Sequence, residues 1–267
     1  MYTHNLDPVL LKLGFLSIHW YSLAYIFGIV FGWLYAKKLI KDIINKTNYK
    51  FNLQDLDDYI SYLIFSIILG GRIGYILFYN FEYYSQNLLD TLKIWEGGMS
   101  FHGALIGIVL GTFIFANKKK VKAFILLDIV ACTSPIGIFL GRLSNFINAE
   151  LYGKPTEKSW GVIFPNVDNI ARHPSQIYEA LLEGILLFII LNIIIFFRKY
   201  SLAFCSAMFL IFYGFFRIIA EQFRVPDEQL GMIFNFISMG SLLSSIMIIA
   251  GIIILVFFKN TINETNI

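Results

Sequence analysis

An all-α bundle of seven transmembrane helices, with a small extracytoplasmic head between spans four and five, follows from three observations on this sequence. Of its 267 residues 57% are apolar and 15% charged, against about 45–50% and about 25% in an ordinary soluble domain. The mean hydropathy is +0.68. Apolar stretches of membrane-crossing length recur seven times, and at roughly 20 residues each they use about 140 residues and leave the rest for loops and termini. No stretch alternates strictly between apolar and polar residues, and each is too long for a barrel strand, so helices are left as the means of satisfying the backbone inside lipid. The same composition excludes disorder, nucleic-acid binding and a large soluble domain.

The spans are expected near 18–38, 59–78, 98–116, 124–147, 178–197, 202–220 and 236–258. Together they form one integral membrane domain over 1–267, in which 148–176 is the longest loop and the head. Gly28-Ile29-Val30-Phe31-Gly32 and Gly107-Ile108-Val109-Leu110-Gly111 echo one another. Small residues four apart let helices approach closely, so the echo reads as packing and not as a duplicated half. Cys132 and Cys205 both lie in apolar runs and read as core residues, without a disulfide framework or a metal quartet. No small-residue cleavage site follows the first basic residue, Lys12, so a removable signal peptide is not expected.

Basic residues set the orientation. Lys37, Lys38, Lys41, Lys46, Lys50, Lys118, Lys119, Lys120, Lys122, Arg198, Lys199 and Lys259 all fall on one side. Lys12, Lys93, Lys154, Lys158, Arg172 and Arg224 fall on the other, so the amino terminus is expected outside and the carboxyl terminus inside. Three of the 21 basic residues remain, and Arg72, Arg142 and Arg217 all stand within spans. Each costs about 2.5–3.5 kcal/mol on insertion scales, so something must compensate it. Under this topology all three fall in the outer half of the bilayer, at the depth where the first turns of spans one, three and five carry Tyr21, His102 and Glu183. A lone arginine can snorkel to the headgroups. Six polar side chains on six helices at one depth are better explained by a polar chamber open to the outer leaflet.

Spacing sharpens that reading. Tyr213, Arg217 and Glu221 follow i, i+4, i+8 and form one face, with Arg224 beyond; an internal Arg217–Glu221 pair is the plain alternative. Arg142 and Asn145 share a face after Gly137 and Gly141. With few matching acids at this depth, two arginines facing one cavity point to an anion from outside the chain, and a phosphate suits their forked donors. His102 lies in a glycine-rich run where a ligand or another backbone can come close. Alone it reads as a hydrogen-bonded core residue; beside two arginines it is a candidate proton acceptor. Tyr21 beside Trp20 equally fits an interfacial aromatic belt. Gly70-Gly71-Arg72-Ile73-Gly74-Tyr75 reads chiefly as tight packing around an arginine, and His173 before Pro174 as a helix entry. The zinc-protease, serine-hydrolase and P-loop motifs are absent, and neither a metal nor a cofactor is expected.

Six motifs in order then carry a resemblance. They are His19-Trp20-Tyr21, Gly70-Gly71-Arg72-Ile73-Gly74-Tyr75, Gly97-Gly98-Met99-Ser100-Phe101-His102-Gly103, Gly141-Arg142-Leu143-Ser144-Asn145-Phe146-Ile147-Asn148-Ala149-Glu150, Arg172-His173-Pro174-Ser175-Gln176-Ile177-Tyr178-Glu179 and Phe223-Arg224-Val225-Pro226-Asp227. From about Asp7-Pro8 to the seventh span the chain resembles the bacterial prolipoprotein diacylglyceryl transferases. That resemblance implies a plasma (inner) membrane enzyme that moves the diacylglyceryl group of phosphatidylglycerol onto the lipobox cysteine of a lipoprotein precursor, forming a thioether and releasing glycerol phosphate. It implies His102, Arg142, Arg217 and Tyr21 as catalytic. Asn145, Gly153 and Tyr213 would bind substrate with Glu150, Glu221 and Arg224 in support, and Arg72, a member of the chamber, joins them. Ser22 and Ala104 stand where the family commonly has glycine; both are small, so packing should survive. An anion or proton-coupled transporter is the rival reading, although the inner half offers little polar beyond Asp128.

Overall fold

Among the described residues seven helices are long and apolar enough to cross a membrane. The computed structural model describes residues 1–14, 16–46, 49, 51–197, 201–226, 232–233 and 237–258. Lys50, Arg198, Lys199 and Lys259, used above for orientation, and Asp227 of the last motif lie outside the described residues. The helices are α1 (Trp20–Lys46), α2 (Leu53–Tyr79), α3 (Phe101–Lys119), α4 (Ala123–Ile147), α5 (Ser175–Phe197), α6 (Phe204–Glu221) and α7 (Met239–Phe257). Short strands accompany them: β1 (Tyr2–Thr3), β2 (Val9–Leu13), β3 (Leu16–His19), β4 (Val162–Ile163), β5 (Ala171–Arg172), β6 (Met232–Ile233) and β7 (Ile237–Ser238). The chain divides into two compact units, one of Met1–Leu39 with Asp128–Ile267 and one of Ile40–Leu127.

In the Ile40–Leu127 unit, α2 and α3 lie backbone to backbone. A Cβ built on Gly103 would stand 2.3 Å from the Gly70 carbonyl oxygen, and one on Gly107 would stand 2.2 Å from that of Ser66. Only glycine permits that approach, which bears out the packing reading of the small-residue runs. Side chains seal the pair at two levels. The buried Tyr59 hydroxyl lies 2.6 Å from Thr112 Oγ1, and Lys119 Nζ reaches Asp55 and Asp58, each at 2.6 Å. Asn52 and Ser100 cap α2 and α3 by accepting from the backbone N–H of Gln54 and Gly103. Arg72 is buried at the far end of α2 and donates to main-chain carbonyls of the loop before α3: Nε to Thr91, Nη1 to Gly97 and Gly98, Nη2 to Asp90. This arginine is therefore compensated by backbone oxygens of its own unit.

The other unit builds on α4, α5, α6 and α7 with the first part of α1. Cys132 and Cys205 are buried free thiols, in a core with Leu187, Leu191, Ala207 and Phe216. Asp128, fully buried on α4, accepts from Ala203 N at 2.9 Å, Ser206 N at 2.8 Å and Ser206 Oγ at 2.6 Å. It thus caps the start of α6, where Ala203 has no capping side chain of its own. Between α4 and α5 the chain forms a small β module: β1 pairs with β4 in parallel and β4 with β5 antiparallel. Its core is Ala149, Val162 and Phe164, with Phe146, Tyr152 and Val167 packed against it. The His4 ring stands 5.3 Å from the rings of both Phe146 and Phe164. The Arg172 guanidinium hydrogen-bonds Asp168, and that contact holds the carboxyl below its usual range. Burial, with the Lys158 charge behind it, pushes the neighbouring His173 imidazole down.

Candidate active site

Three helices of one unit bring six charged side chains together. Arg142 comes from α4, Glu179 and Glu183 from α5, Arg217 and Glu221 from α6, and Arg224 from the turn that follows. Glu179 is the hub: its Oε1 accepts from Arg217 Nη1 at 2.7 Å and Arg224 Nη1 at 3.2 Å, and its Oε2 lies 2.8 Å from Arg142 Nη1. Glu183 Oε2 accepts from Arg142 Nη2 at 3.0 Å, while Glu183 Oε1 stands 3.6 Å from Arg217 Nη1. Arg217 Nη2 donates to Glu221 Oε1 at 2.6 Å, and the α7 cap residue Ser238 donates to Glu221 Oε2 at 3.2 Å.

The local sequence explains the convergence. Glu179 closes the first α-helical turns of α5 and Glu183 lies inside a π-helical stretch, Ala180–Leu186, that follows directly. Such π segments are rare and concentrate at functional sites. On α6 the i, i+4 spacing of Arg217 and Glu221 produces the internal pair weighed above. Both acids of α5 are wholly buried, whereas the side chains of Arg142 and Arg217 keep 16% and 11% of their exposure.

The expectation of few matching acids beside the arginines is corrected by these contacts, because Glu179, Glu183 and Glu221 all reach them. Glu179 is the residue that sequence reasoning missed. It stands at the edge of the apolar run, where a carboxylate reads as the end of a loop; its spacing four before Glu183 was the available signal. With every group ionised, three guanidinium and three carboxylate charges cancel, which is how buried charge is tolerated.

Of the remaining candidates, most belong to the same unit as this cluster and two to the other. Tyr213, one turn before Arg217, is buried and feels the charges of Glu183, Arg142 and Arg217. At the end of α4 the Asn145 and Asn148 amides each donate to Glu150, at 3.3 Å. The buried Gln176 at the head of α5 donates to the Glu150 carbonyl at 2.5 Å. Gly153 bridges to Arg224, and a Cβ there would meet the His173 carbonyl oxygen at 2.3 Å and that of Phe223 at 2.7 Å. The Tyr21 hydroxyl lies 3.2 Å from that of Tyr25. His102 belongs to the other unit, half-buried in the first turn of α3 with its ring edge-on to Phe101 at 5.4 Å, as does Arg72. Among the described residues no group of three His, Cys, Asp or Glu is arranged to hold a metal ion.

Chemically, paired forked donors in a site screened from water bind and stabilise an oxyanion. Comparisons with known proteins give the chain a family. The family model described as prolipoprotein diacylglyceryl transferase matches residues 8–257. The chain is similar to the phosphatidylglycerol–prolipoprotein diacylglyceryl transferase of Rickettsia felis, with 47% identity over 251 residues, covering 92% of this chain and 95% of that one. It is similar also to the Ehrlichia ruminantium protein of the same name, with 49% identity over 256 residues, covering 94% and 96%.

Proposed function

This chain belongs to the prolipoprotein diacylglyceryl transferase family, and from that membership we propose how its own residues perform the transfer. The enzyme moves the diacylglyceryl group of phosphatidylglycerol to a prolipoprotein. The acceptor is the lipobox cysteine thiol at the end of the precursor's signal peptide. A free thiol titrates near 8.5 and is only a few per cent thiolate at neutral pH. His102 takes its proton, imidazole being the side chain that titrates near neutrality. The thiolate sulfur attacks the glycerol carbon bonded to the phosphate oxygen. The carbon–oxygen bond breaks, its electron pair stays on oxygen, a thioether forms and glycerol phosphate leaves.

Charge grows on the phosphate in that step, and Arg142 and Arg217 are its counter-charges. The observation that carries this reading is the pair of partly buried guanidinium groups that α4 and α6 bring to the same two glutamates. Asn145 and Tyr213 orient the headgroup, and Tyr21 lines its approach. Removing one oxyanion donor typically costs about 2.7–4 kcal/mol, or about 100- to 1000-fold in rate. The bias of lysine and arginine supports an amino terminus outside, a carboxyl terminus in the cytoplasm and a site in the outer half of the bilayer.

The test is direct. Purified protein is incubated with phosphatidylglycerol and a lipobox peptide, and the peptide is weighed by mass spectrometry. A gain of one diacylglyceryl group, lost on alkylating the peptide thiol and in an Arg142→Gln variant, is the expected result. No gain in mass, together with anion flux through reconstituted vesicles that depends on Arg142, would instead establish a transporter.

A further inference from the structure

The charge balance of the arginine cluster poses a problem that the transfer reaction must solve. Three carboxylates already neutralise Arg142, Arg217 and Arg224, so a phosphate entering the site would leave one uncompensated negative charge in a region with little water. Like charges brought together there repel strongly, and one resident anion has to yield. The contacts identify which. Glu179 is held by three arginines, with separations of 2.7, 2.8 and 3.2 Å. Glu221 is held by Arg217 at 2.6 Å and by Ser238 at 3.2 Å. Glu183 has one hydrogen bond, from Arg142 Nη2 at 3.0 Å. Among the described residues its buried Oε1 accepts no hydrogen bond and faces Arg217 only at 3.6 Å, whereas Glu179 Oε2, likewise without one, is closed by Arg142 at 2.8 Å. Of the three Glu183 is the least restrained, and it alone is carried by the π-helical stretch Ala180–Leu186.

We propose that Glu183 is a built-in competitor for the headgroup phosphate: its carboxylate occupies Arg142 and Arg217 between turnovers, cedes them to the lipid, and displaces glycerol phosphate afterwards. This rests on the transferase reading above and adds to it the means of product release. An arginine pair left bare would hold substrate and product phosphate alike, and uniform binding of that kind does not speed the chemical step.

Glu183→Gln in the full-length protein tests the role, because a competitor and a mere support have opposite signatures. Transfer to a lipobox peptide is followed in mixed micelles at varied mole fractions of phosphatidylglycerol, with free glycerol phosphate as the inhibitor. Loss of the competing charge should lower the KM for lipid and the inhibition constant of glycerol phosphate by about tenfold, within the usual range for coupling between two ligands, while kcat falls as product lingers. A support role predicts a raised KM and weaker inhibition, and either an unchanged or a raised inhibition constant overturns the proposal. Wild-type protein in the same assay separates the two readings: thioether formation by the wild type upholds the transferase function whatever the variant does, and its absence removes the premise. Where Glu183→Gln fails to accumulate as folded protein, Glu183→Asp withdraws the carboxylate by one methylene. Tighter inhibition in that variant upholds the competitor, and unchanged inhibition rejects it.

Discussion

Replacing Glu179 by glutamine keeps the shape of the side chain and removes its charge. The amide has one oxygen where the carboxylate has two. If that oxygen keeps Arg217 and Arg224, the amide nitrogen is set against Arg142 Nη1, which lies 2.8 Å from Oε2 in the native site, donor against donor. The surrounding cluster is left with an unbalanced positive charge. Breaking a buried ion pair from one side costs about 3–5 kcal/mol. Arg142 and Arg217 retain 16% and 11% exposure, so some water reaches them and the lower end, about 3 kcal/mol, is expected. In catalysis the turned Arg142 is one misaligned donor, which corresponds to about a 100-fold loss of rate or more. Thermal unfolding in detergent measures the first quantity, and peptide mass gain under saturating lipid measures the second. Glu179→Asp, which keeps the charge, should recover part of both. Unfolding within about 0.5 kcal/mol of wild type, the range of an ordinary surface change, together with full transfer, would refute the hub assignment.

Three further outcomes are expected. Gly153→Ala sets a methyl group against two carbonyl oxygens at 2.3 and 2.7 Å and should destabilise the β module by about 1–3 kcal/mol, seen as faster hydrogen exchange over residues 150–173; unchanged exchange would contradict the packing. His102→Gln should leave lipid binding intact and abolish transfer to the peptide, and a variant retaining full rate would dismiss the base assignment. The hydrogen bond from Arg172 holds the Asp168 carboxyl below the ordinary carboxylate range. A depressed folded-state pKa gives stabilisation that is complete above the unfolded value and is lost as pH falls through the folded one. Exchange in the 162–172 segment, corrected for its intrinsic pH dependence, should therefore be flat at neutral pH and rise only in the acid range below the unfolded value; a rise near neutrality would contradict it.

Much of the scaffold was legible because the bilayer imposes a coarse requirement. All seven apolar runs became helices, since only a helix satisfies that much backbone in hydrocarbon. Their ends were less legible. The first span was expected to stop at 38, yet α1 continues to Lys46 through Lys37, Lys38 and Lys41; a helix can go on into the aqueous side after its hydrophobic stretch ends. The two-residue strands that join the amino terminus to the α4–α5 connection left no periodic trace. At the site, the face formed by Arg217 and Glu221 was readable from helical spacing. Glu179 was not, because hydropathy places it at a boundary while its partners lie 37 residues earlier and 38 residues later in the sequence. The carbonyls around Arg72 were illegible for a related reason: main-chain acceptors carry no residue identity.

The cap that Asp128 supplies to α6 bears on how such a chain is assembled in its membrane. The sixth span begins with two backbone N–H groups, of Ala203 and Ser206, whose acceptor was synthesised some 75 residues earlier. Until the fourth span is seated, those donors have no partner from that helix, and exposing them to hydrocarbon is expensive. The sixth helix is thus completed by an earlier one, which gives biogenesis a direction: the carboxyl-terminal part of the protein docks onto a template that the ribosome has already delivered.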